Sequence, residues 1–280
     1  MESSAARAPI FGSIVLAFLL IASPASAQRC VEDVLCVEIE ERADSLAFFV
    51  VNLRPADVSI RFDVDLQNLA ADVAFPAAGA FAAGERTKAF TLHRRDERSG
   101  WRYHYQLAWQ LGRVGARHDD AYVYALPYAA GAAFAVGQAD GGAFSHRGRF
   151  AIDWTMPEGT PVHAAREGVV VAVCDSNRVG GIDEALRERA NYVLVAHADG
   201  TIASYVHLRE RGALVRVGDR VQRGQRIGLS GATGYASGPH LHFEVFTLTA
   251  DLQRQTVPVR FAVDGRAETL RDGRIYRAAR

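Results

Sequence analysis

Two histidines one residue apart, His240 and His242, sit inside the apolar, β-prone run Gly238-Pro239-His240-Leu241-His242-Phe243-Glu244-Val245-Phe246. On a strand, alternate side chains leave the same face, so both imidazoles would enter one cavity. Glu244 and Phe246 share that parity, whereas Leu241, Phe243 and Val245 would pack behind the sheet. An arbitrary His-x-His is more often a solvated strand edge than a site. This one has candidate partners upstream in His146, Asp153 and His207, each in a context that reads as a strand or a strand end. Two imidazoles, one carboxylate and an open position are what hydrolytic zinc requires.

The elements that must position these groups read as β-structure with glycine at the corners. Phe150-Ala151-Ile152-Asp153-Trp154, the Gly168–Val173 run, and Asn191–His197 are separated by turn residues. Asp199-Gly200 lies between two apolar runs and predicts a hairpin whose return strand is Thr201–Leu208. In that return strand His207 shares parity with Tyr205 and Ala203, and Tyr205 is expected to add a donor at the cleft. Residues 182–190 carry Glu, Ala, Leu and Arg at helical density and predict a short helical insertion at the rim. Earlier in the chain, Leu46–Leu53, Val58–Leu66, Thr87–Leu92 and Trp101–Trp109 are short alternating runs broken by Pro55, Pro76 and Gly100. They predict an all-β module, a small sandwich. His93, His104 and His118 read there as surface or structural histidines, as do His163 and His197 further on.

The expected division is a leader over residues 1–27, a β-rich accessory domain over 28–130, a second β domain over 131–265 and a tail over 266–280. The leader reading rests on Arg7, an apolar core of about 13 residues, and the small-x-small site Ala25-Ser26-Ala27. A spanning helix needs roughly 20 apolar residues, so no integral membrane segment is expected after the leader is removed. Export agrees with a disulfide between Cys30 and Cys36, with Cys174 left as a buried thiol. Formal net charge of +0 and 23% charged residues give no reason to expect nucleic acid as a partner.

The ordered segments Ser145-His146 through Asp153, Pro157-Glu158-Gly159-Thr160-Pro161-Val162, Tyr205-Val206-His207-Leu208 and Ser230 to Phe246 together resemble the lysostaphin-like (LytM-type) zinc endopeptidases of bacterial cell walls. The resemblance covers about Ala133 to Asp264. It implies an antiparallel β-sheet peptidase domain, one zinc per chain held by His146, Asp153 and His242, and catalytic roles for His207 and His240 beside it. It also implies peptidoglycan peptide as substrate and a place in the periplasm or cell envelope, with a regulatory partner left unspecified. The family's first His and Asp stand four apart; here they are seven apart, and Gly148 between them permits a wider turn. The chemistry expected is attack on a peptide carbonyl by water activated at the metal, with His207 or His240 moving the proton.

Two other readings compete. A LytM-type module that has lost its metal and regulates another hydrolase should lack one or more of the five positions, and all five are here. The hairpin texture of Val217–Val221 with Gly224-Gln225 also resembles lipoyl- or biotinyl-carrier modules. Those need an acceptor lysine in a turn, and Lys88, the only lysine, lies in the other domain.

Overall fold

The computed structural model describes residues 16–18 and 27–279, and among them the chain is nearly all β. The leader expected over residues 1–27 therefore lies almost wholly outside the described residues. Two sheets form the first part of the chain. One runs Ala27–Val31, Leu35–Glu41, Ser45–Asn52, Arg86–Arg94, Leu69–Ala71; the other carries Arg102–Leu111, Val58–Gln67 and Ala77–Phe81, with Leu16–Phe18 at its edge. Their apolar faces meet because the strands alternate: Val58, Ile60, Phe62 and Val64 are buried while Asp63 and Asp65 are exposed. Phe48 and Phe90 stack at 4.5 Å between ring centroids, and Tyr105 meets Phe48 edge-on at 5.7 Å. Cys30 and Cys36 face each other across the first hairpin and are joined by a disulfide.

The second part is built on one large antiparallel sheet. Its path runs Arg220–Val221, Gly168–Cys174, Asn191–Ala196, Ile202–Ala213, His240–Leu248, Ile152–Thr155, Ala133–Gln138, Ile275–Arg277. The hairpin at Asp199-Gly200 forms, with Gly200 at φ +84° and the His197 amide donating to the Thr201 carbonyl. One face of this sheet presents Trp154, Tyr205, Leu241, Phe243 and Val245 to a core completed by Tyr124, Tyr128 and Phe261. The opposite face does two things along its length. Towards one end Val171, Leu194, Ile202, Phe246 and Leu248 join the apolar core of the N-terminal sheets. Gly112 closes that contact, since a Cβ there would lie 3.1 Å from Ile202. Further along, the same face is left open as a cleft.

Two readings from sequence need revising, and a third, the short helical insertion at the rim, is borne out with its helix type added. Residues 266–280, expected to be a tail, contribute the sheet's edge strand Ile275–Arg277, paired with Ala133–Ala135. Tyr276 is buried there and its main-chain carbonyl accepts from the Tyr128 hydroxyl at 2.7 Å, so one aromatic among arginines was enough to anchor the segment. The rim insertion is a short 3-10 helix over Glu184–Arg189, capped by Asp183, whose side chain accepts from the Ala185 amide. Cys174 is partly exposed, not buried, and accepts from Asn177 Nδ2 at 3.3 Å.

Candidate active site

The cleft is set by register. Asp153 pairs directly with His242, Thr155 with His240, and Val206 with His242 on the other side. Asp153, His240, His242 and Glu244 therefore stand on one face, as the period of two requires. His207 is different. Its parity with Tyr205 would send it into the core, but it adopts φ +64° as the extra residue of a bulge, where Val206 pairs with Tyr192 and Leu208 with the adjacent Asn191. The bulge turns the imidazole to the cleft face, where its ring centroid lies 4.5 Å from that of His240. Tyr205 stays behind. It is fully buried with its hydroxyl accepting from the Ala165 amide at 2.7 Å, so it gives no donor to the cleft.

His146 reaches the same place from a loop. Gly148 at φ +69° lets the chain turn between His146 and Asp153, and the Arg149 amide donates to the His146 carbonyl at 2.9 Å. The turn spans the seven-residue interval and leaves His146 Nε2 3.2 Å from Asp153 Oδ2.

The three potential ligand atoms converge. His146 Nε2 is 3.3 Å from His242 Nδ1, which is 2.9 Å from Asp153 Oδ1, and all three lie within 4.8 Å of one another. A tetrahedral ion with bonds near 2.05 Å needs ligand atoms about 3.3 Å apart, so the spacing suits zinc. The tautomers agree. His146 Nδ1 donates to the Ala139 carbonyl at 3.0 Å, and His242 Nε2 faces Glu244 Oε2 at 3.4 Å, which turns a lone pair of each ring towards the other and towards a carboxylate. Two lone pairs and an anion facing one another are stable only around a cation. In the metal-free chain a proton takes that part. Burial works to lower the pKa of His242, but Asp153 and then Glu244 outweigh it and raise it to about 9. For Asp153 burial opposes ionisation, yet the His146 and His242 rings facing it hold its carboxyl well below the ordinary range.

The flanking histidines have the opposite character. Burial pushes His207 down to about 3, with His240 and His242 acting in the same direction. Burial also lowers His240, against the pull of Asp153. Each ring is oriented through Nδ1: His207 donates to the Thr233 carbonyl at 2.7 Å and His240 to that of Gly238 at 2.8 Å. Both Nε2 atoms are then unprotonated proton acceptors.

Sequence reasoning assigned no role to two residues that hold the site together. Gln138, paired across the strands with Asp153, donates to Asp153 Oδ2 at 3.1 Å and accepts from the Phe144 and Ser145 amides. Glu244 was placed on the correct face by parity, but its bridge from His242 to Arg149 Nη2 at 2.9 Å needs tertiary structure to see. The cleft around these groups has a volume of about 470 Å³, within the usual range for ligand sites. His163 and His197 lie outside it, bonded through Nδ1 to the Gly224 and Glu167 carbonyls.

A β-sheet cleft with a convergent His-Asp-His cluster defines a candidate metallohydrolase. Residues 146–256 match the model of Peptidase family M23. The chain is similar over 93 residues, at 43% identity, to peptidoglycan DD-endopeptidase ShyA of Vibrio cholerae, covering 33% of this chain and 19% of that protein. Over 99 residues it is 40% identical to glycyl-glycine endopeptidase ALE-1 of Staphylococcus capitis, covering 35% of this chain and 24% of that protein. Among solved structures, lysostaphin from Staphylococcus simulans is 29% identical with a TM-score of 0.34, covering 44% of this chain and 47% of that one. The matched stretch spans about a fifth of the length of the curated relatives.

Proposed function

We propose that the chain is an exported, zinc-dependent endopeptidase that hydrolyses peptide bonds in the stems or cross-links of peptidoglycan. The observation that carries the reading is the convergence of His146, Asp153 and His242 beside two neutral histidines whose Nε2 atoms are free to accept a proton. The M23 domain match and the endopeptidase names of the relatives support the substrate class. Among the described residues no helix is long and apolar enough to cross a membrane. The accessory domain over 28–130 and the peptidase domain over 131–265 belong to the same proposal, with residues 266–279 joined to the latter's sheet.

His146 Nε2, His242 Nδ1 and an Asp153 oxygen would hold the zinc, which when bound supplies a Lewis acid that acidifies water and polarises a peptide carbonyl. The chain's own residues do the rest. Either His207 Nε2 or His240 Nε2 takes the proton released by water and returns it to the leaving amine. Such positioned acid–base help contributes roughly a hundred- to ten-thousand-fold. Thr233 and Gly238 keep the two rings in the required tautomer, and Glu244 does so for His242. The second reading, a metal-free regulatory module, is disfavoured by the complete and correctly oriented ligand set.

Zinc analysis of the purified chain should find about one ion per molecule. His242→Ala should lose the ion and the activity together, whereas His240→Ala should keep the ion and lose turnover. A His242→Ala protein with full zinc and full muralytic activity overturns the assignment.

A further inference from the structure

Residues 214–226 form a lobe that contributes nothing to the cleft. The chain leaves the main sheet at Ala213 and rejoins it at Gly228, the two residues pairing with each other, and the Leu214 amide donates to the Ile227 carbonyl at 3.0 Å. Between these points it makes two tight turns, one closed by the Asp219 amide on the Arg216 carbonyl, the other by the Gln225 amide on the Gln222 carbonyl. Arg220–Val221 joins the turns and is the last strand of the sheet path. Val215, Val221 and Ile227 point inward and belong to the core. Facing outward, Arg216, Arg220, Arg223 and Arg226 are all exposed, and with them Leu214 and Val217, 47% and 41% exposed.

These arginines have no local counter-charge to spend. None of the four forms an ion pair among the described residues. Asp219 is the only carboxylate between Glu210 and Glu244, and its Oδ2 is turned back to accept from the Arg216 amide at 2.8 Å. Glu167, just before the strand that pairs with Arg220–Val221, accepts from the Tyr122 hydroxyl at 2.8 Å. Like charges this close in sequence repel one another, and an anionic surface turns that repulsion into attraction. A soluble polyanion would satisfy the arginines and leave Leu214 and Val217 in water. A lipid surface takes both, because its phosphate layer lies directly above apolar chains. We propose that the 214–226 lobe is a membrane-surface contact, with its four arginines among anionic lipid headgroups and Leu214 and Val217 dipped below them. The proposal does not depend on the chemistry of the cleft. It gives a use to the hairpin that resembles a carrier module but has no lysine to carry anything.

The test is co-sedimentation of the full chain with large vesicles, of 30% phosphatidylglycerol in phosphatidylcholine or of phosphatidylcholine alone, in 0.1 M salt. The readout is the ratio of the two binding constants. Each arginine near such a surface contributes about fivefold, so the wild type should favour the anionic vesicles about a hundredfold or more. Arg220→Gln/Arg223→Gln should lower that ratio about 25-fold. Arg98→Gln/Arg102→Gln, the same change of charge at exposed positions of the N-terminal sheets, should leave it within twofold. Raising the salt to 1 M shortens the screening length from about 10 Å to about 3 Å and should release the protein. Leu214→Ser should weaken binding to anionic vesicles about fivefold while retention on heparin stays unchanged. Equal affinity for both vesicles, an unchanged ratio in folded Arg220→Gln/Arg223→Gln, an equal loss in the control, or an unweakened Leu214→Ser overturns the proposal. So does arginine-dependent retention on heparin without binding to either vesicle, which would make the lobe a polyanion site instead.

Discussion

Replacing Glu244 by glutamine tests whether the cleft is tuned for a metal. The carboxylate is only 3% exposed, faces His242 Nε2 at 3.4 Å and accepts from Arg149 Nη2 at 2.9 and 3.1 Å. Glutamine keeps the shape and an acceptor oxygen but removes the charge that makes the His242 ring electron-rich at Nδ1. Partners of this kind typically contribute ten- to a hundredfold in metal affinity, which corresponds to about 1.4–2.7 kcal/mol. Arg149 also loses its ion pair; because that side chain is 31% exposed, solvent screens the loss and about 1 kcal/mol of stability is expected. Zinc affinity is read by competition with a chromogenic chelator at pH 7.5, and folding by circular dichroism. Glu210→Gln, at an exposed pair with Arg178, serves as the control and should change neither. A Glu244→Gln affinity within twofold of the wild type would refute the role given to this carboxylate.

Three further outcomes follow from the geometry. Gly231→Ala places a Cβ 2.4 Å from the Arg209 amide nitrogen, so the Gly231–Thr233 segment must shift and carry the carbonyl that orients His207; turnover should fall at least tenfold while zinc content stays near one, as peptide hydrolysis and metal analysis would show. Asp199→Asn removes the partner of Arg166, a pair 2.6 Å apart with side chains 12% and 6% exposed, and should cost about 3 kcal/mol in urea denaturation. Burial lowers His197 to about 4 from an ordinary 6.5, so the folded chain resists a proton that the unfolded chain accepts. Its contribution is fully present above pH 6.5 and is lost as pH falls towards 4, by about 3 kcal/mol; His197→Asn should flatten that part of the stability–pH curve, and an unaltered curve would contradict the assignment.

How legible the site was depended on whether strand parity was enough. For Asp153, His240, His242 and Glu244 it was, because these residues lie on regular strands where side-chain direction alternates without interruption. His207 was placed at the site, but the shared parity that grouped Tyr205 with it fails, because a bulge separates the two. A non-glycine residue at positive φ pays a local cost that only the surrounding tertiary contacts can impose, and nothing in Tyr205–Leu208 announces it. Tyr205, expected at the cleft, lies in the core instead, where it packs 5.1 Å from Phe243. Gln138 was invisible for a different reason: its partner lies 15 residues on, across a pairing whose register shifts between Val136 and Gln138. Phe246 shares the face of the site histidines, but its burial comes from the N-terminal sheets, far away in sequence. Turn chemistry was the most readable layer, as the Asp199-Gly200 hairpin shows.

The central claim is that this cleft hydrolyses cell-wall peptide using its bound metal and the two flanking histidines. Its most direct test is the digestion of purified sacculi by the zinc-loaded full chain, with released fragments identified by mass. The account predicts soluble muropeptides carrying newly formed peptide termini, abolished by His240→Ala in a protein that still holds one zinc. Intact sacculi after prolonged incubation with the stoichiometrically zinc-loaded wild type would contradict it.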